Sequence, residues 1–289
     1  MAYALCLRAM GLEREGEGIG AGVVQLWCAY PDDLLVEPVA QACMALLSEE
    51  ERARWKRFRF DKRRREHLAT HALKRMALSA AFPLAPEAWQ FKENAHGKPA
   101  VEPECGLRFN MSNSEKLVVC LVGQGAGVGA EVGVDVEPIE RAGAIAKLAG
   151  HVFSPAERAQ LETLGDAERL DRALSLWTLK EAYIKSRGMG LALPLDGFSF
   201  LFRGAEGVRL EVDAALEDEA GRWRFCQLDH AGHRMAVMVE WPLCSPTLSA
   251  SGAADTERMG HPKLEIWEAR EVVGAPLHVH SYGVKWFPR

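Results

Sequence analysis

The order of sequence patterns predicts an α+β protein built in two halves. Three observations carry this expectation. Segments rich in β-branched and aromatic residues come in blocks rather than alternating one for one with helical segments. Two Ser-x-x-Glu helix starts, at Ser48 and Ser154, each begin a helical block. A run of short strand-like segments follows each of those blocks. The resulting order is strand, helices, strands, helices, strands, which does not describe a series of βαβ units.

Val23 to Tyr30 is the first strand-like run, and Pro31-Asp32-Asp33 ends it in a turn. Ser48 with Glu51 three residues on is a capping box, opening a helix through Trp55 to about Phe58. Asp61 to Ala81 is a longer helical pattern, stopped by Phe82-Pro83. Asn94, Gly97, Pro99 and Pro103 make Lys92 to Pro103 read as loop, and Leu107–Asn110 and Lys116–Val122 read as short strands. The glycine-rich stretch Gly123 to Gly129 lacks the helix start that a phosphate cradle needs behind it, so a hairpin loop is expected before the strand Glu131–Val136. Ser154-Pro155-Ala156-Glu157 starts another helix, Gly165 stops it, and a long helix from about Ala167 to Ser186 ends at Gly188. Leu195–Phe202, Val208–Val212, Trp223–Leu228 and Met235–Glu240 follow as strands. Pro246 to Asp255 has a linker composition, and the segment from Glu257 onward leaves open a small hairpin or a loose tail. The expected division is an N-terminal half over residues 1–129, a C-terminal half over 130–244 and a tail over 245–289. The letters themselves show no internal repeat.

With 48% hydrophobic residues in 289, the chain has ample material for a core. Lys and Arg total 35 against 40 Asp and Glu, a formal charge of -5 that argues against a nucleic-acid-coating surface. Seven scattered cysteines without a C-x-x-C pair indicate neither a disulfide framework nor a zinc knuckle. Met1 to Arg14 lacks the pattern of a secretory leader, and no run approaches the roughly 20 apolar residues needed to span a bilayer. A reduced, cytoplasmic protein with neither nucleic-acid nor membrane partners is the expectation.

Chemistry concentrates in two segments. In Gly133-Val-Asp-Val-Glu-Pro138, strand alternation puts Asp135 and Glu137 on one face and Val134 and Val136 on the other. Adjacent carboxylates repel, which suits a bridging hard cation, but a solvated strand end remains open from these letters. In the long helix, Leu170, Leu174 and Trp177 form an apolar stripe that leads to Glu181, with Lys185 one turn further on. A half-buried Glu and a Lys on one helix, added to the Asp-x-Glu strand, equip a site for Mg²⁺ and a pyrophosphate. The other reading of Glu181 and Lys185 is a routine i,i+4 salt bridge.

Gly133-Val-Asp-Val-Glu137, Phe153-Ser-Pro-Ala-Glu157 and Trp177-Thr-Leu-Lys-Glu-Ala-Tyr-Ile-Lys185, at this separation, resemble the 4'-phosphopantetheinyl transferases. The resemblance extends through Gly97-Lys98-Pro99, Phe109-Asn110-Met111-Ser112 and Gly188 to Asp196, and covers roughly Leu47 to Trp241. It points to the larger, surfactin-synthetase-activating type. That implies a monomer of two similar α+β halves related by a pseudo-two-fold axis, with coenzyme A bound between them.

By that resemblance Asp135, Glu137 and Glu181 ligate Mg²⁺, which also touches the coenzyme A pyrophosphate. Glu181 or a metal-bound water takes the proton of a serine on an acyl or peptidyl carrier protein, and Lys185 contacts the phosphate under attack. The implied products are a phosphopantetheinylated carrier protein and 3',5'-ADP. By the same resemblance Lys98, Ser112 and Arg54 fall at coenzyme A-binding positions. Asn113 departs from the pattern, standing where the family commonly has a histidine facing the 3'-phosphate, so it can donate a hydrogen bond but carries no charge.

The basic segment Arg52 to Arg75 is expected mostly as solvated helix face, with one or two cations free to bind phosphate or attract an acidic carrier protein. His67 and His71, four apart, lack a third zinc ligand, as do His278 and His280. Trp177 is expected as core packing. Ser112 and Ser114 sit in no nucleophile elbow. Competing functional readings are a metal-dependent nuclease and a carrier-binding protein without catalysis.

Overall fold

The β-branched and aromatic run near the start forms β1 (Val23–Ala29), and the chain after it becomes helical. The structure, a computed structural model, describes residues 23–33, 39–123, 131–241, 262–269, 279–280 and 287. After β1 come α1 (Val39–Leu46), α2 (Glu49–Arg57) and α3 (Asp61–Ala81). The capping box at Ser48 is formed, with the Glu51 amide donating to Ser48 Oγ at 3.1 Å and the Ser48 amide donating to the Glu51 carboxylate at 2.9 Å. Then follow a hairpin of β2 (Gln90–Glu93) and β3 (Pro99–Glu102), and the strands β4 (Arg108–Asn113) and β5 (Val118–Gly123).

The second half repeats this order. It has β6 (Val132–Pro138), the helices α4 (Ala142–Lys147), α5 (Ala149–Val152), α6 (Pro155–Glu162) and α7 (Asp166–Arg187), and a hairpin of β7 (Phe198–Phe202) and β8 (Val208–Val212). Two closing strands complete it, β9 (Trp223–His230) and β10 (His233–Glu240). In each half the first strand pairs antiparallel with the last, which pairs antiparallel with the one before it: β1-β5-β4 and β6-β10-β9. The internal repeat that the letters hide is therefore a repeat of topology.

Strand alternation sorts the core into layers. Trp27, Ala29, Val118, Cys120 and Val122 face α3, whereas Val24, Leu26, Val119 and Leu121 face the other sheet, where Val134, Val136 and Val237 meet them. A third cluster lies between α7 and the second sheet, with Tyr183, Phe200 and Trp223 at its centre. The result is two sheets face to face with a long helix outside each.

Several expectations need correction. Lys92 to Pro103 is not all loop: residues 94–98 form the turn of the β2–β3 hairpin, with Asn94 Oδ1 accepting from the amides of His96 and Lys98 and Gly97 at φ 83°. The turn formers there mark the tip of two strands. The short helices α1, α4 and α5 were not expected. Leu170 is exposed and does not continue the apolar stripe of Leu174. Lys74 and Arg75, grouped with the solvated cations, are buried. In the tail, Lys263–Ala269 forms β11, parallel to β1, with β12 (Val279–His280) beside it. Leu264 and Ile266 enter the core between the sheets. The start of the chain, residues 124–130 of the glycine-rich stretch and the linker Pro246 to Asp255 lie outside the described residues. No helix among the described residues is long and apolar enough to cross a membrane.

Candidate active site at the seam of the two halves

The site begins with close packing of β6 on α7. At Gly133 a β-carbon would run into the carbonyl oxygen of Ala182 and the amide of Ser186, so only glycine lets the strand lie this near the helix. Val134 and Val136 point into the core between the sheets, which turns Asp135 and Glu137 toward α7. Both carboxylates are buried, so the solvated strand end is ruled out.

Among the described residues β6 is an edge strand, and two side chains of β4 take up its outward N–H groups. Val134 donates to Asn110 Oδ1 at 2.9 Å and Val136 to Ser112 Oγ at 3.3 Å. Side chains thus stitch the halves together where a backbone ladder is missing. Ser112 Oγ also donates to Asp135 Oδ1 at 3.0 Å, so its hydroxyl faces the carboxylate site.

Lys185 reaches the same point from α7. Its ammonium lies 2.6 Å from Asp135 Oδ1 and 2.8 Å from Ser112 Oγ, and among the described residues no ion pair joins it to Glu181. Among the described residues, Asp135 Oδ2 is buried without a hydrogen-bond partner. Glu137 Oε1 accepts from the indole N–H of Trp177 at 2.9 Å, and its other oxygen is ion-paired with Arg141. Trp177 therefore lines the site as well as packing against the core. Glu181 is half-buried on the next turn. Burial, then the neighbouring charge of Asp135 and that of Glu137, push its carboxyl up to about 7, with Lys185 opposing.

These groups open onto a cleft of about 550 Å³ between the halves, lined by Lys98, Asn110, Trp177, Glu181 and Lys185, with Leu193 and Leu195 on its apolar side. Lys98 ties the β2–β3 turn to the second half: its ammonium is ion-paired with Glu131 and donates to the carbonyls of Ser186 at 2.8 Å and Val132 at 3.3 Å. Asn94 Nδ2 adds a bond of 2.8 Å to the carbonyl of Gly188, the left-handed cap of α7 at φ 61°.

The sequence-predicted residues thus divide. Asp135, Glu137, Glu181, Lys185, Ser112 and Lys98 come together at the seam. Arg54 is exposed on α2 and Asn113 exposed at the end of β4, and neither lines the cleft. Sequence reasoning missed the placement of Asn110, Arg141 and the Trp177 indole. Asn110 was quoted in a motif, but no local signal told that it would bond a strand 24 positions away.

Among the described residues no three His, Cys, Asp or Glu side chains already enclose a metal position. The donor set nevertheless fits a hard divalent cation. Three carboxylates converge closely enough that two of them raise the third, and one buried carboxylate oxygen has no partner among the described residues.

Fold and site together define a two-half α+β enzyme with a carboxylate and lysine cleft at its seam. Residues 131–238 match the family described as 4'-phosphopantetheinyl transferase superfamily, and residues 37–124 match that described as 4'-phosphopantetheinyl transferase, N-terminal. A 4'-phosphopantetheinyl transferase of Bacillus subtilis is 30% identical over 189 residues, 65% of this chain and 81% of that relative. The 4'-phosphopantetheinyl transferase HetI of a Nostoc species is 33% identical over 195 residues, 66% and 79% of the two chains. The 4'-phosphopantetheinyl transferase ffp of Bacillus subtilis is 29% identical over 219 residues, 76% and 93%. The chain belongs to the 4'-phosphopantetheinyl transferase superfamily.

Proposed function

We propose that the protein carries the 4'-phosphopantetheine group from coenzyme A to a serine of an apo acyl or peptidyl carrier protein, with the seam cleft as its active site. The serine oxygen forms a bond to the phosphorus next to pantetheine, the bond from that phosphorus to the bridging oxygen breaks, and 3',5'-ADP leaves with the electron pair. The observation that carries this reading is the convergence of Glu181 with Asp135, Glu137 and Lys185 at one point of the seam cleft. From this position Glu181 would accept the serine proton. Lys185, released from Asp135, would meet the developing charge on the phosphate. Asp135, Glu137 and Glu181 would hold Mg²⁺. When bound, that ion would supply neutralisation of the coenzyme A pyrophosphate and of the charge developing on the departing 3',5'-ADP.

Lys98 and Ser112 would serve the coenzyme A side of the cleft, with Asn113 and Arg54 contributing from its exterior toward the nucleotide. We further take the protein to act as a monomer in the cytoplasm, with halves bounded at residues 129 and 244. The test is to incubate the full chain with coenzyme A, Mg²⁺ and a panel of apo carrier proteins and weigh the products. One added phosphopantetheine on the carrier serine is expected. Absence of an adduct on every carrier overturns the reading.

A further inference from the structure

Glu137 differs from the other two carboxylates in that both of its oxygens are engaged by side chains of its own half. Trp177, on α7, donates its indole N–H to Oε1 at 2.9 Å, and Arg141, four residues beyond Glu137, is ion-paired with Oε2. The two partners differ in kind. An indole N–H is a neutral donor that can only donate, and a carboxylate oxygen that accepts it keeps a second lone pair for a cation. A guanidinium is itself a cation, and it neutralises the charge that a metal would otherwise meet.

Their positions differ as well. Trp177 lies one helical turn before Glu181, and both side chains line the cleft, so its bond fixes Glu137 on β6 relative to Glu181 on α7. Arg141 is 49% exposed, so it can withdraw into water at little desolvation cost. We propose that Trp177 positions Glu137 for a divalent cation, while Arg141 is the internal counter-cation that the divalent cation must displace. The two residues therefore act on metal affinity with opposite sign. This rests on the metal-site reading given above and adds to it residues that set how tightly the site binds.

The experiment is direct titration of the full chain with Mn²⁺ alone, following free Mn²⁺ by electron paramagnetic resonance, without coenzyme A or turnover. Trp177→Phe keeps the ring and removes the donor, and should weaken binding roughly tenfold, as for loss of a hydrogen bond behind a metal ligand. Arg141→Gln should tighten binding by a factor of about 2 to 5, the worth of a half-exposed ion pair. A purely structural role for both residues would not move the affinity in opposite directions.

Unchanged or tighter binding by Trp177→Phe overturns the assignment of Trp177, and unchanged or weaker binding by Arg141→Gln overturns that of Arg141. Thermal melting shows whether Trp177→Phe is folded. If it is not, Arg141→Gln, at a half-exposed position, carries the test. Asp135→Asn separates this inference from the reading beneath it. If the parent protein fails to bind Mn²⁺, or Asp135→Asn binds as well as the parent, the metal site itself falls and the inference goes with it. If binding depends on Asp135 but neither variant shifts it, the inference alone falls.

Discussion

The two halves place a glutamate and a lysine at the same points of the same scaffold and use the next position for opposite ends. In the first half the capping-box residue Glu51 meets Lys74, 23 positions on, at 3.2 Å. In the second, the capping-box residue Glu157 meets Lys180, also 23 positions on, at 2.9 Å. The residue after the lysine is Arg75 in one half and Glu181 in the other. Arg75 closes the first cluster, 3.0 Å from Glu51, and donates to the carbonyls of Pro86 and Trp89. Glu181 turns instead into the cleft, toward two further carboxylates.

The first half thus uses its helix to neutralise a buried charge, and the second uses it to accumulate charge. Burial tends to raise Glu51, yet the hydrogen bond from His71, the charges of Lys74 and His71 and the Ser48 amide hold it well below the ordinary carboxylate range. At Glu181 burial and neighbouring charge act together, and the carboxyl rises to about 7. A scaffold duplicated in topology does not duplicate function, because function depends on which sign of charge the helix delivers.

The sharpest way to break this contrast is Glu51→Gln. It leaves Lys74 and Arg75 buried without their counter-charge and should cost about 3–5 kcal/mol of stability in chemical denaturation. A loss under about 1 kcal/mol would show that the first cluster is not the structural member of the pair.

Glu181→Gln should behave in reverse. Turnover should fall at least ~10²-fold, as for loss of a base or metal ligand, and near-normal turnover would contradict that role. Stability, measured without metal, should rise at alkaline pH. With its pKa raised from 4.5 to about 7, the folded chain keeps a proton that the unfolded chain gives up. That contribution is complete below pH 4.5 and lost as pH rises through 7, so the variant should exceed the parent by up to roughly 3 kcal/mol at pH 8, the gap closing toward pH 4.

The first half carries the opposite slope. His67 is held down to about 4, by burial and then by the charge of His71, so below pH 6.5 the unfolded chain takes a proton that the fold refuses. Stability from that cluster is therefore lost as pH falls from 6.5 toward 4. A melting profile without an acid-side decline from Glu51 and His67 would sink this part of the comparison.

Smaller effects probe the seam. Gly188→Ala puts a side chain at φ 61° and against the Lys98 stem, and should cost about 1–2 kcal/mol while leaving the two charge clusters intact. Smallest of all, Asn113→His should tighten 3',5'-ADP binding a few-fold, of the order of one exposed ion pair, as read by calorimetry. Unchanged or weaker affinity would remove Asn113 from the nucleotide site.

What the sequence made legible were features set by neighbours along the chain. Both capping boxes, the long helices α3 and α7 and the glycine stop at Gly188 follow from side chains within four positions of one another. Strand alternation put Asp135 and Glu137 on one face, but Asp135, Glu137, Glu181 and Lys185 became legible as one site only through the resemblance of the motifs around them. Spacing alone left a solvated strand end and an i,i+4 salt bridge open. Features that depend on distant partners were not. Trp177 bonds Glu137 across 40 positions, and Lys74 is buried because Glu51 waits 23 positions earlier. The β2–β3 hairpin was lost because the turn formers at its tip outweigh two strands of four residues each. The repeat was hidden because a core tolerates exchange among apolar residues, so two sheets share a topology without sharing letters.

The placement of β11 beside β1 has a consequence for the order in which the molecule is made. β1 pairs with β5 along one edge and receives β11 along the other, in parallel register from Val23 with Lys263 to Ala29 with Ala269. A chain emerging from the ribosome carries both α+β halves before residue 263 arrives. Through that interval the first strand has a bare row of hydrogen-bonding groups, a template for any passing strand. Docking of β11 is therefore among the last long-range pairings that synthesis permits, followed among the described residues by the bridge of Phe287 to Phe225, and the vulnerable moment for self-association falls before the terminal segment docks.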